Sequence, residues 1–262
     1  MKYHDPVGVA TGGGAGVTQS GLSQFYGELA KYYDGLNAWK DYRAEAGRLE
    51  TIARRLGRSG RTTWLDVACG TGRHLEFLRR NHPVVGVDGS REMLRIARRR
   101  LPKVRFVLRD MRTFRLDQRF DVVSCLFSAI GHLRTERDLR TTFVNFARHL
   151  NPGGVAIVEP WIDPSKFLSS ALHVRTYDGP TVRVARVAFS SRRGNRSIIR
   201  YHYLIAEPGR GIRHLEVTDV GLLVSRTRLL ELMDAAGFQS RFLARGLMPD
   251  RGLLVGVKVG TG

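Results

Sequence analysis

Hydrophobic and polar positions follow two different periods along the first two thirds of the chain. Short apolar runs, such as "TTWLDVA", "PVVGVDG" and "FDVVSCLF", predict buried strands, because each is shorter than a core helix and is bounded by polar or turn residues. Apolar residues at helical spacing fill the intervening segments, among them "REMLRIARRR" and "TERDLRTTFVNFARHL". Strands that alternate with helices predict an α/β fold with a doubly wound, mostly parallel, Rossmann-like sheet.

Local signals mark the ends of several of these elements. Ser90 and Ser225 precede helical segments as N-cap residues, and Gly237 is predicted to end the last helix. A break at "DGLN" separates two N-terminal helices, the second of which ends near Gly57. "VRFVLRD" and "VAIVEPW" are predicted as the third and fifth strands, and a hairpin closes the chain.

The pattern changes after the fifth strand. From about Phe167 to Val220, β-branched and polar residues alternate, and the turn signals "DGP", "RGN" and "EPGRG" interrupt them. This pattern predicts an antiparallel β-meander of three or four strands, inserted into the α/β core. We therefore divide the chain into a flexible tail at 1–22, an N-terminal helical segment at 23–60, the core at 61–166 and 221–262, and the insert at 167–220.

Composition narrows the class of protein. No apolar run approaches the length of a membrane helix, and the N-terminus lacks the apolar stretch of a secretory signal, so we expect a cytoplasmic protein with no membrane partner. Cys69 and Cys125 lie in apolar surroundings without zinc or disulfide spacing, and we expect both to be buried and reduced. The net charge of +19 invites a nucleic-acid partner, but the arginines are scattered, so we expect no nucleic-acid substrate; the alternative is an anionic small molecule, such as a substrate that carries phosphates.

A glycine-rich turn follows the first predicted core strand in "LDVACGTGRHL". Strand, Gly-x-Gly and helix form the general arrangement that holds a nucleotide-like ligand at the carboxyl edge of a parallel sheet. The third glycine of a dinucleotide-binding fingerprint is absent, since Leu75 takes that position, and there is no P-loop lysine. Gly70 and Gly72 leave room for a ligand against bare backbone.

Three acidic residues are predicted to ring the same crevice. Asp66 lies just before the turn, Asp88 ends the second strand and Asp110 ends the third. Asp88 is placed to accept hydrogen bonds from two ribose hydroxyls, Asp110 and Met111 to meet an adenine, and Asp66 to face a cationic amino-acid group. The turn has no dedicated phosphate binder, so the pattern favours a ligand with a nucleoside at one end and a sulfonium amino acid at the other.

With these residues in place, the sequence resembles the class I S-adenosylmethionine (SAM)-dependent methyltransferases, whose first motif "LDVACGTG" matches. "FSAIGHL", "VEPW", "GRGIRH" and "DRGLLVG" are similar to the amino-sugar N,N-dimethyltransferases of macrolide deoxysugar biosynthesis, over about residues 24 to 258. The resemblance implies SAM as cofactor and N-methylation of a nucleotide-linked amino-deoxysugar in natural-product biosynthesis. It also implies an N-terminal lid over the cofactor, at 23–60, and a homodimer to which the meander contributes.

The same resemblance assigns roles around the reacting amine. It maps His132 onto a histidine that acts as base or orienter, and an imidazole can accept the proton of an amine at neutral pH. It places the lid tyrosine of the family at Phe25, one position before Tyr26. We expect Tyr26 to take part in catalysis, Tyr33 to close the cofactor pocket and Lys40 to pair with the cofactor carboxylate.

The resemblance also indicates an acceptor pocket. It maps Arg251 onto an arginine near the sugar or its phosphates, and a guanidinium fork suits a diphosphate. Glu159 and Trp161 end the fifth strand at the same rim. The chain departs from the usual residues of the family at three positions around this pocket: Asp250, Ile162 and Leu253. These departures indicate that the acceptor pocket is remodelled.

Together these arguments define two sets of candidate residues. No metal site is predicted, because no His or carboxylate cluster has metal-ligand spacing. Cofactor contacts are expected from Tyr33, Lys40, Asp66, Ala68, Gly70, Gly72, Asp88, Gly89, Met93, Asp110, Met111 and Leu126. Substrate contacts are expected from Phe25, Phe127, Ser128, Glu159, Trp161, Tyr201 and Arg251. His74, on the first core helix, is expected at the surface.

Other functions stay open beside the amino-sugar hypothesis. One is methylation of another small-molecule amine or hydroxyl, and another is methylation of RNA. Enzymes that methylate base amino groups carry an N/D-P-P-Y/F run after the fourth strand to clamp a flipped base, whereas this chain has "LFSAIGH" there. A non-catalytic binding protein is disfavoured, because the glycine turn and Asp88 are both present.

Overall fold

The computed structural model describes residues 26–57 and 62–260. The helices are α1 (Ala30–Leu36), α2 (Tyr42–Arg55), α3 (Arg73–Leu78), α4 (Arg91–Arg100), α5 (Glu136–Arg148) and α6 (Arg226–Asp234). The first strands are β1 (Trp64–Val67), β2 (Val84–Asp88), β3 (Arg105–Leu108), β4 (Phe120–Cys125) and β5 (Leu150–Val158). The remaining strands are β6 (Leu172–Asp178), β7 (Arg183–Arg193), β8 (Arg196–Glu207), β9 (Gly211–Leu222), β10 (Phe238–Leu243) and β11 (Leu253–Lys258).

The central sheet has seven strands in the order β10-β11-β5-β4-β1-β2-β3. β1 to β5 pair in parallel, and β11 is antiparallel to both of its neighbours. The mostly parallel, doubly wound sheet predicted from the sequence is therefore confirmed. The strand order reverses at β1, which lies between β2 and β4, and a ligand crevice is expected at the carboxyl ends of the strands at such a point.

The core consists of two apolar layers, one on each face of the central sheet. Successive side chains of a strand point to opposite faces. Leu65 and Val67 accordingly join one buried cluster, which contains Phe143 of α5 and Met233 of α6. Trp64 belongs to the opposite cluster, whose helical members include Leu49, Leu75 and Leu94. The continuous apolar strands of the sequence are buried on both faces for this reason.

The insert forms a separate antiparallel sheet in the order β6-β7-β8-β9, which confirms the predicted meander. One face of this sheet packs against α1. The buried residues of this contact are Leu29, Tyr32 and Leu36 from the helical side, and Val184, Tyr203, Ile205 and Val217 from the sheet. α1 is thus held by the insert as well as by the α/β core.

Most predicted element ends agree with the structure. Ser90 accepts a hydrogen bond from the N–H of Met93, and Ser225 caps α6 in the same way. Gly237 has a φ of +92° just beyond α6, a conformation that glycine adopts at low cost. The break between the first two helices comes later than predicted, since α1 continues to Leu36. Just beyond it, the side-chain amide of Asn37 donates to the carbonyl of Tyr33.

The fifth strand begins earlier than the sequence pattern indicates. The segment "NPGG" reads as a loop, yet Leu150 already pairs with Phe120, and the register with β4 shifts before Val155. The predicted tail at 1–22 lies outside the described residues. Within 26–57 and 62–260, no helix combines the length and apolarity that crossing a bilayer requires.

Candidate active site

The glycine-rich turn between β1 and α3 is built from residues with left-handed backbone angles. Gly70 and Gly72 have φ values of +55° and +76°, and Ala68 has a φ of +57° despite its side chain. A Cβ placed on Gly70 would meet no atom within 4 Å, so the backbone here faces open space. Such strained positions in non-glycine residues concentrate at functional sites, and Ala68 is one of them.

Asp88, at the end of β2, ties this turn to the next strand. One carboxylate oxygen accepts from the N–H of Gly70 at 2.8 Å, and the other accepts from the N–H of Ser90 at 2.7 Å. Burial raises the pKa of Asp88, although these backbone donors oppose the effect. Each oxygen keeps a second acceptor direction for a ligand hydroxyl. Gly89 next to it also borders open space.

The other two acids of the predicted ring differ from each other. Asp66 lies within β1, is 2% exposed and accepts a hydrogen bond from Ser124 on β4 at 2.7 Å. Burial raises its pKa to about 6. The prediction that Asp110 ends β3 is wrong, since the strand stops at Leu108. Arg112 binds both oxygens of the partly exposed Asp110 carboxylate and lowers its pKa.

Three more of the predicted cofactor residues lie within the packed interior around these acids. Met93, in the first turn of α4, is 1% exposed, and Leu126, just after β4, is 4% exposed. Met111 is half-buried, and its carbonyl accepts from the side-chain amide of Asn145. Only small parts of the surfaces of these residues are therefore accessible to a ligand.

Lys40 has a carboxylate partner inside the protein. Its ammonium group is fully buried and lies 2.6 Å from Glu45, while Nε2 of His74 lies 2.7 Å from the other oxygen of Glu45. Burial alone would raise the pKa of Glu45, but the hydrogen bonds from His74 and Lys40 lower it overall. The expectation that His74 lies at the surface is wrong: α2 covers it, and the residue is 7% exposed.

The N-terminal helical segment lies against the glycine turn. The carboxylate of Asp34 on α1 accepts from the hydroxyl of Thr71 at 2.7 Å and from the guanidinium of Arg100. The hydroxyl of Ser90 donates to the carbonyl of Tyr26 at 2.7 Å. The ring of Tyr33 stands 6.4 Å from the Tyr26 ring, and burial raises the pKa of both phenols.

Tyr26 and His132, the two predicted catalytic residues, are in direct contact. The phenol oxygen of Tyr26 lies 2.8 Å from Nε2 of His132, which ends the short 3₁₀ helix Ala129–His132. On the other side of the imidazole, Asp219 of β9 places a carboxylate oxygen 3.3 Å from Nδ1. Burial alone would lower the pKa of His132, but the Asp219 carboxylate reverses this and raises it. The sequence reasoning missed Asp219.

A strained turn leads from β4 to this histidine. Phe127 and Ser128 have φ values of +52° and +60°, and two buried contacts hold them there. Glu159 accepts from the N–H of Phe127 at 2.6 Å, and the hydroxyl of Ser128 donates to the carbonyl of Pro160 at 2.6 Å. The Glu159 carboxylate is fully buried, and its second oxygen accepts from the N–H of Met248, so its predicted contact with the substrate stays a prediction.

Arg251 and Trp161 lie beside the same turn. The guanidinium of Arg251 donates to the hydroxyl of Ser128 at 2.8 Å and stands over the Trp161 ring at 4.8 Å. The indole N–H of Trp161 donates to Ser197 on β8. A Cβ atom added to Gly131 would lie 2.9 Å from the Cβ of Trp161. This contact requires glycine before His132. Tyr201, also on β8, is close enough to Asp219 for that charge to raise its pKa, after the larger effect of burial.

The residues present fit a bound SAM at the strand edge. Open backbone at Gly70 and Gly89 adjoins the buried carboxylate of Asp88, an arrangement suited to a nucleoside sugar. Phe25 lies outside the described residues. Across the part of the chain that the structure describes, no three His, Cys, Asp or Glu side chains are grouped so that they could hold a metal ion.

Comparisons with known proteins agree with this geometry. The family described as "Methyltransferase domain" matches residues 65–154. A dTDP-3-amino-3,6-dideoxy-alpha-D-glucopyranose N,N-dimethyltransferase from Streptomyces fradiae is 39% identical over 238 residues, which cover 90% of this chain and 92% of the relative. The crystal structure of Streptomyces venezuelae DesVI superposes with a TM-score of 0.83 at 37% identity and covers 88% of this chain and 98% of that one.

A third relative was solved with the cofactor in place. SAM-bound CalS10, an amino pentose methyltransferase from Micromonospora echinaspora, superposes with a TM-score of 0.79 at 33% identity, over 88% of this chain and 97% of that one. These three relatives each match at least 88% of this chain. The chain belongs to the family of SAM-dependent methyltransferases that includes the dTDP-amino-sugar N,N-dimethyltransferases.

Proposed function

We propose that the protein transfers methyl groups from SAM to the amino group of a nucleotide-linked amino-deoxysugar in natural-product biosynthesis. The observation that carries this proposal is the half-buried contact between Tyr26 and His132, whose Oη and Nε2 atoms are 2.8 Å apart, beside the strand edge where Asp88 and the glycine turn lie. The relative from Streptomyces fradiae acts on a dTDP-linked amino sugar, and the similarity over most of this chain supports the same substrate class.

The side chains at this edge suit methyl transfer to nitrogen. Bound SAM supplies an electrophilic methyl group, so the enzyme has to position an amine with a free lone pair. Nε2 of His132 takes a proton from the substrate ammonium, and the freed electron pair stays on the nitrogen. Tyr26 orients the amine, while Tyr33 and Phe127, whose rings are 6.4 Å apart, keep water away. In this proposal residues 23–60 form the lid over the cofactor.

A hollow next to Arg251 suits the nucleotide part of the substrate. Its volume is about 110 Å³, and three basic residues line it: Lys166, Arg226 and Arg251. Arg251 faces both this hollow and the turn that carries His132, and its guanidinium fork matches the oxygens of a diphosphate. The carboxylates of Asp163 and Asp250 also line the hollow and leave it with one excess positive charge.

The test is an acceptor screen with purified protein and SAM. The panel contains dTDP-linked 3-amino and 4-amino sugars, the same sugars without the nucleotide, a dTDP-linked sugar with hydroxyls only, and bulk RNA. We expect that only a dTDP-linked amino sugar yields products. These products carry first one and then two added methyl groups. Methylation of the hydroxyl-only sugar or of RNA, with none of the amino sugars, would contradict the proposal.

We propose further that two copies associate through the outer face of the inserted sheet. Its large apolar side chains are exposed to a degree that is unusual for a monomer: Leu172 by 71%, Val174 by 66%, Leu204 by 50% and Ile212 by 75%. The strand register places these four residues on one face of the sheet, together with the polar residues His202, His214 and Glu216. The free, buried cysteines Cys69 and Cys125 fit a reducing cytoplasm, where we place the protein.

Light scattering tests this assembly. We expect the wild-type protein to have the mass of a dimer and the double variant Leu204→Glu with Ile212→Glu to have the mass of a monomer. The matched control is Leu168→Glu, since Leu168 is 72% exposed but precedes the strands of the sheet. A wild-type monomer at micromolar concentration would contradict the proposal.

A further inference from the structure

Nδ1 of His132 and a carboxylate oxygen of Asp219 form an isolated buried pair. The two atoms lie 3.3 Å apart, and each is buried without a hydrogen-bond partner elsewhere among the described residues. A buried polar atom without a partner is costly, so the only interaction that compensates either atom is the one between them. The pair joins the 3₁₀ helix of the core to β9 of the insert.

We propose that Asp219 is the positioning residue that sets the tautomer and the basicity of His132. This inference rests on the proposed transfer to an amine. With its proton held on Nδ1 by Asp219, the neutral imidazole presents the lone pair of Nε2 to the side where Tyr26 lies. The insert thus contributes to the reaction through a side chain that does not touch the substrate.

The proton inventory is simple. A proton moves from the substrate ammonium to Nε2 of His132, and the N–H bonding electrons become the lone pair of the amine. The resulting imidazolium carries one positive charge, 3.3 Å from the negative charge of Asp219. The proton then passes to solvent, and His132 is ready for the ammonium formed by the first methylation. Without Asp219, the same charge would form in a buried site with no counter-charge.

Three phenols, which are neutral near pH 7, and three charged side chains surround the pair. Tyr26 comes from the segment before α1, and Tyr201 and Tyr203 come from β8. Burial raises the pKa of each phenol, that of Tyr203 to about 12. Asp88 acts on Tyr26 from the end of β2, and Arg186 and Arg251 act on Tyr201. Asp219 is the carboxylate that faces the imidazole itself.

The experiment is ¹⁵N NMR of the histidine side chains in the ligand-free enzyme, titrated with pH. The His132 signals are assigned by their loss in His132→Asn, since the chain has 8 histidines. We expect wild-type neutral His132 to carry its proton on Nδ1, and Asp219→Asn to lower its pKa by about 1 to 3 pH units. The matched control, Asp178→Asn, removes an exposed carboxylate of the same sheet and should leave the His132 pKa unchanged.

Kinetics give the second readout. The acidic limb of the pH profile of kcat/KM should shift to lower pH in Asp219→Asn by the same amount as the NMR titration, a change that loss of packing alone would not produce. An unchanged His132 pKa in Asp219→Asn, or an Nε2–H tautomer in the wild type, would overturn the inference. The wild-type spectrum needs no variant, so the test survives if Asp219→Asn does not fold. It also needs no acceptor, so its outcome is separate from that of the acceptor screen.

Discussion

The cofactor side and the acceptor side of this active site are built in different ways. On the cofactor side, two neighbouring strand ends contribute: a left-handed turn at Gly70 and Gly72 follows β1, and Asp88 at the end of β2 accepts from the N–H of Gly70. On the proposed acceptor side, Tyr26, His132 and Asp219 come from three distant parts of the chain. The first side is a feature of the sheet, whereas the second exists only when the N-terminal helical segment, the core and the insert pack together.

This difference indicates where substitutions can change the substrate specificity of the enzyme. The backbone turn follows β1, where the strand order of the sheet reverses, and Asp88 holds it through the N–H of Gly70, so it can serve any acceptor that the rest of the molecule presents. The acceptor side depends on contacts between segments, such as Trp161 against Gly131 and Arg251 against Ser128. Substitutions there can alter the substrate without disturbing the cofactor. The chain departs from the usual residues of the family at Asp250, Ile162 and Leu253. These three positions belong to the sequence motifs that form the acceptor side.

Removal of the base should have the largest effect on turnover. In His132→Asn the ammonium of the substrate loses its proton acceptor, and we expect kcat to fall by about 10²- to 10⁴-fold at neutral pH. The acidic limb of the wild-type kcat/KM profile should lie above the ordinary histidine value of about 6.5, because Asp219 raises the pKa of His132 despite burial. Steady-state assays with the accepted amino sugar measure both. A kcat within about threefold of wild type would remove His132 from the chemistry.

A smaller effect is expected at the phosphate side of the acceptor pocket. Arg251→Lys keeps the charge but loses the guanidinium fork that reaches Ser128, so KM for the nucleotide-linked sugar should rise about tenfold with little change in kcat. Arg245→Lys, at an exposed position nearby, is the control. Equal KM changes in the two variants would show that Arg251 binds no phosphate.

A further effect concerns stability on the cofactor side, without any change in substrate binding. Burial raises the pKa of Asp66 from 3.8 to about 6, so the folded state binds a proton more tightly than the unfolded chain. This contribution is fully present below about pH 4 and is lost as the pH rises through about 6. Asp66→Asn should therefore gain about 1–3 kcal/mol relative to wild type between pH 4 and pH 8, in urea denaturation of the ligand-free protein. The exposed Asp117→Asn should show no such trend.

Periodicity and local motifs were sufficient to predict the parallel sheet, the meander and the cofactor turn. Each of these is encoded within a few neighbouring residues, as when Ser90 caps α4 beside Asp88. Asp219 could not be found in this way, because it is one polar position in an alternating strand, and its partner His132 lies in another part of the chain. The sequence did carry one signal for Asp219, because an acidic residue on the inward-facing side of a sheet is unusual.

The errors of prediction have a common physical cause. His74 was judged by its position on a helix, but burial and partners decide what a polar side chain does, and Glu45 reaches His74 from another helix. Asp110 was expected to end β3, yet the strand stops at Leu108, and Arg112 binds the Asp110 carboxylate.

The central claim is that the two sides of the site are separable, and a calorimetric titration of SAM tests it most directly. In Asp88→Ala the N–H groups of Gly70 and Ser90 lose their acceptor, and we predict that SAM affinity falls by about 100-fold or more. In His132→Asn, which disrupts only the acceptor side, SAM should bind within about twofold of wild type. Equal losses of SAM affinity in both variants would contradict the account.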